Sequence, residues 1–172
     1  RAAVMERFMG AIAARGADLA QAVSAQNGMP IAVSSQLEGG FSIGMIQYYA
    51  ELAKTLGQPD VRPSQMGKET LVERSAIGVV AAIVPWNFPV TLALSKIAPA
   101  MAAGCTMVIK PASQTPYSAL ALCELAERAG IPKGVLSVVT GASGPIGKEL
   151  TTNPLVRKFT FTGSTEVGKR IV

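Results

Sequence analysis

Histidine is missing from all 172 residues. That removes the imidazole general base and the commonest metal ligand, so no metal site is expected. Tryptophan occurs once, as Trp86, and cysteine twice, as Cys105 and Cys123. With no CxxC pair, the cysteines make neither a disulfide framework nor a zinc ligand set, and they read as buried, inert thiols. Charged residues are only 16% of the chain, which excludes a disordered, solvating polymer. The net charge of +5 comes from scattered Lys and Arg with no basic run, so no nucleic-acid partner is expected. Long apolar runs are missing too. The stretch from Ala76 to Pro85 is too short to cross a bilayer, and Arg1–Glu6 carries no signal-peptide pattern. The reading is a cytoplasmic protein without a membrane partner, its N-terminus trimmed because the first residue is not Met.

What is present is enough apolar residue, 49%, for one domain with a sizeable core. Val4, Phe8, Ile12, Leu19 and Val23 recur at helical spacing and predict one amphipathic helix ending near Asn27-Gly28. A second helix is predicted from about Gly39 to Leu56. Gln58–Gly67, with two prolines, reads as a loop. Glu69–Arg74 has the mixed pattern of a strand with one wet face, and Val79–Val84 that of a buried strand; together they read as a hairpin. Next come a helix over 91–103, a strand over 106–109, a helix over 117–129 and a strand over 135–139. A helix near 146–150, a strand over 156–162 and a final helix opened by Gly163 and running through Val172 complete the pattern. Alternation of this kind predicts an α/β fold with a parallel sheet and flanking helices. Such sheets bind ligands at the carboxyl ends of their strands, which directs attention to the loops after Val84, Ile109, Val139 and Thr162.

All four of those loops hold unusual residues, and three carry candidate chemistry. Gly163-Ser164-Thr165-Glu166-Val167-Gly168 follows a strand and opens a helix, a setting in which free backbone N–H groups suit a phosphate; an ordinary capped turn would look the same. It lacks the second glycine of G-x-G-x-x-G. It also fails as a Walker A loop, because Arg170 stands where a Ser or Thr should hold Mg²⁺. Lys110, at a strand end before Pro111, is either a cation at the ligand edge or a solvated lysine. In Pro85-Trp86-Asn87-Phe88-Pro89 two prolines stiffen a loop whose Asn87 amide can donate to a developing oxyanion, with Trp86 and Phe88 as walls. Read as a plain turn, the aromatics are core and Asn87 satisfies backbone.

Taken together, Pro85–Pro89, Lys110-Pro111-Ala112-Ser113-Gln114-Thr115-Pro116 and Phe161–Gly168 resemble the aldehyde dehydrogenase superfamily in order and spacing, and the resemblance covers essentially the whole chain. It implies a truncated, Rossmann-like cofactor-binding domain. Residues 1–172 would be a partial NAD(P)-binding domain, its 69–84 hairpin part of the subunit-contact region of a homo-oligomer, with the catalytic domain absent. Asn87 matches the family's oxyanion-stabilising asparagine, and Trp86 and Asn87 border the nicotinamide end. Lys110 matches a lysine at the adenosine ribose, with Pro111, Ala112 and Ser113 in the same cofactor-binding stretch. Gly163 and Ser164 match phosphate-binding residues, and Gly141 a glycine near the adenine. Many NAD-preferring members carry Glu where Ser113 stands. Serine removes a carboxylate that would repel a 2′-phosphate, so NADP is the preferred cofactor and NAD the alternative.

The segment from Lys110 to Gly168 looks most like NADP-type succinate-semialdehyde dehydrogenases, which points to succinate semialdehyde as the aldehyde oxidised. The family's nucleophilic cysteine and general-base glutamate match nothing in this chain, so the fragment alone is expected to be inactive. The alternative reading is a nucleotide-binding or oligomerisation module without redox activity.

Overall fold

A computed structural model describes residues 1–171. The expectation that the last helix runs through Val172 falls outside that range. Helices α1 (Ala2–Ala14), α2 (Gly16–Asn27), α3 (Ile31–Ser34) and α4 (Ser42–Thr55) form an N-terminal helical layer, with a π-helical turn over Ser35–Phe41 joining α3 to α4. Strands β1 (Asp60–Pro63) and β2 (Glu69–Val72) make an antiparallel ribbon. From there β3 (Val79–Ile83), α5 (Pro89–Ala103), β4 (Thr106–Lys110), α6 (Pro116–Arg128), β5 (Leu136–Val138), α7 (Ser143–Thr152), β6 (Val156–Phe161) and α8 (Thr165–Ile171) alternate regularly.

The four strands β3 to β6 pair in parallel in the order β5-β4-β3-β6. The chain steps outward from β3 through β4 to β5, then returns to the far side of β3. The order therefore reverses between β3 and β6, and a crevice opens at that point beyond the carboxyl ends of the strands. Parallel strands need both faces covered. One face lies under α5 and α6, which in turn pack beneath α1, α2 and α4. Ile97, Leu94 and Val90 of α5, Leu122 of α6, Ile46 of α4 and Phe8 of α1 are all buried there in one core. The other face is thinly clad: α7 packs on β6 with Leu150 as its buried residue, and α8 buries none.

Three expectations need correcting. The first helix is two, because Arg15 leaves helical geometry (φ −116°, ψ 15°) before Gly16. The break lets Met5, Phe8 and Ile12 bury on one axis and Leu19, Ala20 and Val23 on another. The second helical run starts at Ile31, well before Gly39; the widened turn over 35–41 carries it past the two glycines. The hairpin does not join 69–74 to 79–84. β2 pairs with β1, in the segment read as a loop, while β3 lies between β4 and β6. Val80, Ala81 and Ala82 are all buried, so β3 has no face to give to water and must sit inside the sheet. Pro63 had argued against a strand, but it ends β1 in an exposed two-stranded ribbon, where the N–H that proline lacks is not called for by a further strand.

Candidate functional site

At the carboxyl ends of β3, β4 and β6 lies a cleft of about 1400 Å³. Each strand delivers one wall. β3 runs into Pro85, Trp86, Asn87 and Phe88, β4 ends at Lys110 and continues to Ala112 and Ser113, and β6 ends at Phe161 before Thr162, Gly163 and Ser164. These segments are far apart in sequence and meet only because the strands are parallel and adjacent.

Lys110 is not the solvated lysine that its strand-end position allowed. It is 3% exposed, and burial pushes its pKa below the ordinary range. Among the described residues its Nζ donates one hydrogen bond, to the Pro111 carbonyl at 3.2 Å. An ammonium has three donors, so the remaining ones stand ready for an anion or a hydroxyl-rich ligand at the cleft edge. Trp86 is 51% exposed and Asn87 is exposed, so neither is core, and both line the cleft beside the half-buried Phe88. Ser164 Oγ accepts the Val167 N–H at 3.3 Å, capping the start of α8.

Gly163 is required to be glycine by its own neighbour. A Cβ there would lie 2.5 Å from Cζ of the Phe161 ring. The ring covers the glycine while lining the cleft, so a side chain at 163 would push it into the ligand space.

Of the nine residues expected at a cofactor site, Trp86, Asn87, Lys110, Ala112, Ser113, Gly163 and Ser164 line the cleft. Pro111 and Gly141 do not. Pro111 is buried and supplies the carbonyl that holds Lys110. Gly141, at φ 138°, shapes the turn before α7, and a Cβ would approach Ile146 Cδ1 to 3.3 Å. The wall that sequence reasoning missed is α7 itself: Ser143, Gly144, Gly147, Lys148, Thr151 and Thr152 all face the cleft. The spacing of Gly144, Gly147 and Thr151, with Lys148 and Thr152 beside them, marks one helical face of small and polar residues, which was a readable signal. Arg170 also lines the cleft and pairs with Glu166 one turn back, leaving no hydroxyl for Mg²⁺ at that position.

Neither cysteine is in the cleft. Cys105 is buried just ahead of β4, bordering a separate cavity of about 400 Å³. Cys123 donates its thiol to the Leu136 carbonyl at 3.4 Å, and burial pushes its pKa up, as for an inert thiol. Among the described residues, no helix is long and apolar enough to cross a membrane.

Comparison with known proteins gives this geometry a lineage. The family model "Aldehyde dehydrogenase family" matches residues 1–172. The geranial dehydrogenase of Castellaniella defragrans is 50% identical over 99% of this chain and 36% of its own length. The NADP(+) succinate-semialdehyde dehydrogenase of Escherichia coli is 46% identical over 100% of this chain and 36% of its own. A crystal structure described as an E. coli NADP-dependent enzyme superposes with a TM-score of 0.94 at 48% identity, covering 99% of this chain and 35% of that one. The chain thus spans about a third of the length of the relatives it matches. The matched family model, and the three loops that converge on one cleft, place this chain in the aldehyde dehydrogenase family.

Proposed function

We propose that this chain is the cofactor-binding portion of an NADP-preferring aldehyde dehydrogenase that oxidises a semialdehyde, with succinate semialdehyde as the favoured substrate. The observation that carries the reading is the convergence of the Trp86-Asn87 loop, the buried Lys110 with Ser113, and the Gly163-Ser164 turn on one cleft of dinucleotide size. The donor set fits such a ligand: a desolvated ammonium with donors to spare, backbone and hydroxyl groups at 163–164, and an exposed carboxamide opposite them. Lys110 and Ser113 would hold the adenosine ribose and its 2′-phosphate, Gly163 and Ser164 the pyrophosphate, and Trp86 the nicotinamide end. A bound nicotinamide dinucleotide supplies the hydride acceptor. Asn87 contributes its N–H₂ group to the oxygen on which negative charge develops at the aldehyde carbon; a fixed amide there stabilises that charge without reorganising. The name of the E. coli relative supports the NADP preference and the semialdehyde class, and that of the crystal structure supports the NADP preference, while the geranial relative marks an apolar aldehyde as the outcome to test against.

Titrating the purified chain with NADP and NAD, followed by calorimetry, tests this. NADP is expected to bind more tightly. Ser113→Glu is expected to erode that preference roughly five-fold or more, the scale of about 1 kcal/mol for a like-charge pair 4 Å apart in water. Equal affinity for both nucleotides, unchanged by Ser113→Glu, overturns the cofactor assignment. Binding of neither leaves a nucleotide-free assembly module as the reading.

A further inference from the structure

Helix α5 begins with a defect. Its N-cap residue is Phe88, which has no side-chain acceptor, and Pro89 follows. The N–H groups of Val90 and Thr91 therefore have no local partner, although a Ser or Asp at position 88 would supply one. Phe88 cannot be exchanged freely, because it lines the cleft. The missing cap comes from 52 residues upstream. Glu38, on the π-helical turn and 0% exposed, accepts the Val90 N–H at 2.6 Å and the Thr91 N–H at 3.1 Å with one oxygen, Oε2. The Thr91 hydroxyl also donates to the Leu37 carbonyl at 2.8 Å, tying the same turn to the start of α5. Oε1 of Glu38 has no hydrogen-bond partner among the described residues, and burial pushes its carboxyl above the usual range despite the two donors. A carboxyl buried there with one oxygen unpartnered is a poor choice for bulk stability alone.

The other side of the loop is held as well. Asn27, at the end of α2, donates from Nδ2 to the Trp86 carbonyl at 3.0 Å and to the Asn87 carbonyl at 3.3 Å, while its Oδ1 accepts the Met29 N–H at 3.0 Å. The neighbouring Gln26 repeats the device on α6, which also leaves the cleft edge of the sheet. Its Oε1 accepts the Tyr117 N–H at 3.0 Å, where Pro116 opens the helix and Thr115 makes no cap. None of Gln26, Asn27 and Glu38 lines the cleft.

We propose that Glu38 and Asn27 are positioning residues that clamp the backbone on both sides of Asn87, so that its amide and the Trp86 ring meet the cleft in one geometry. The clamp rests on the function proposed above only for what the amide then does.

Trp86 is the only tryptophan in the sequence, so fluorescence excited at the red edge, where the three tyrosines absorb little, reports on this loop alone. The test compares acrylamide quenching and anisotropy of Trp86 in the chain and in Asn27→Asp, Glu38→Ala and Glu38→Gln, with Val23→Ala as a control that weakens the buried face of α2. Asn27→Asp is the decisive variant, since an aspartate keeps the acceptor for Met29 but cannot donate to the two carbonyls. Trp86 is 51% exposed, so opening the loop is expected to raise quenching roughly two-fold and lower the anisotropy in Asn27→Asp and Glu38→Ala. Glu38→Gln, which keeps an acceptor oxygen, is expected to fall between them and the parent. Val23→Ala is expected to leave both readouts unchanged below its unfolding midpoint. Parent-like quenching and anisotropy in Asn27→Asp overturn the proposal, whether or not the Glu38 variants fold. Titration with NADP separates the two readings. A parent chain that binds no nucleotide, but whose Trp86 is loosened by Asn27→Asp, sinks the cofactor site and keeps the clamp. A chain that binds NADP while Asn27→Asp leaves Trp86 undisturbed does the reverse.

Discussion

Lys110 shows how one residue is asked to serve two ends. Burial holds its pKa below the ordinary 10.5, with desolvation as the cause. Between its folded value and 10.5 the folded chain therefore binds fewer protons than the unfolded one, so stability rises with pH across that window and is lost as pH falls through it. Lys110→Met removes the buried charge and keeps the stem. It is expected to raise the urea midpoint at pH 7 and to remove this rise, read as the difference between parent and variant midpoints from pH 7 to 10. The same substitution is expected to weaken NADP binding by roughly ten- to a hundred-fold, the range for losing a charged hydrogen bond. A variant that is both less stable at pH 7 and unaltered in nucleotide affinity would mean that the lysine is a packing residue only. Lys110 also marks a limit of sequence reading: its place at a strand end was legible, but its burial was not, since burial depends on how separate segments pack around that end.

Among the elements, the ribbon of β1 and β2 stands apart. It packs little of itself: Val61 is 55% exposed and Leu71, its cross-strand partner, 57%. An isolated two-stranded ribbon is marginal in water, and an apolar cross-strand pair left in solvent suits a contact with another subunit. The ribbon now takes the place in that expectation of the hairpin wrongly drawn over 69–84. Replacing Val61 and Leu71 together by Arg is expected to weaken self-association about ten-fold or more, as for residues at the centre of an interface. NADP affinity is expected to be unchanged. Sedimentation velocity over a concentration series checks this, and an unaltered distribution would place any subunit contact elsewhere. The pairing error has a physical origin. Periodicity identified β2 and β3 as strands correctly, but which strands pair is decided by what each must bury, and β3 buries both faces.

For the molecule as a whole, the sheet separates the binding chemistry from the thiols. Asn87, Lys110 and Ser113 stand at the carboxyl ends of the strands, whereas Cys105 precedes β4 and Cys123 lies on α6, both away from the cleft. A thiolate outside reach of the aldehyde cannot attack it, since reacting atoms must come within about 3–3.5 Å. The 172-residue chain by itself is therefore expected to reduce no NADP above the blank with succinate semialdehyde, followed at 340 nm. Turnover abolished by a thiol reagent would require one of these cysteines to move to the cleft.

The amino-acid sequence by itself determined the alternation of strands and helices from Val79 onward and the parallel sheet, and it named seven residues that line the cleft. The alternation follows from local periodicity, and the seven residues from the family resemblance carried by short motifs whose residues lie close together in the chain. Tertiary structure alone decided the place of β3 between β4 and β6, the burial of Lys110 and the clamp of Glu38 and Asn27 on the Asn87 loop. Each of these depends on groups brought together from distant segments, such as the 52 residues between Glu38 and Val90. A hydrogen bond or a buried face across that distance leaves no periodic trace in the chain, because the constraint lies in the packing and not in the spacing.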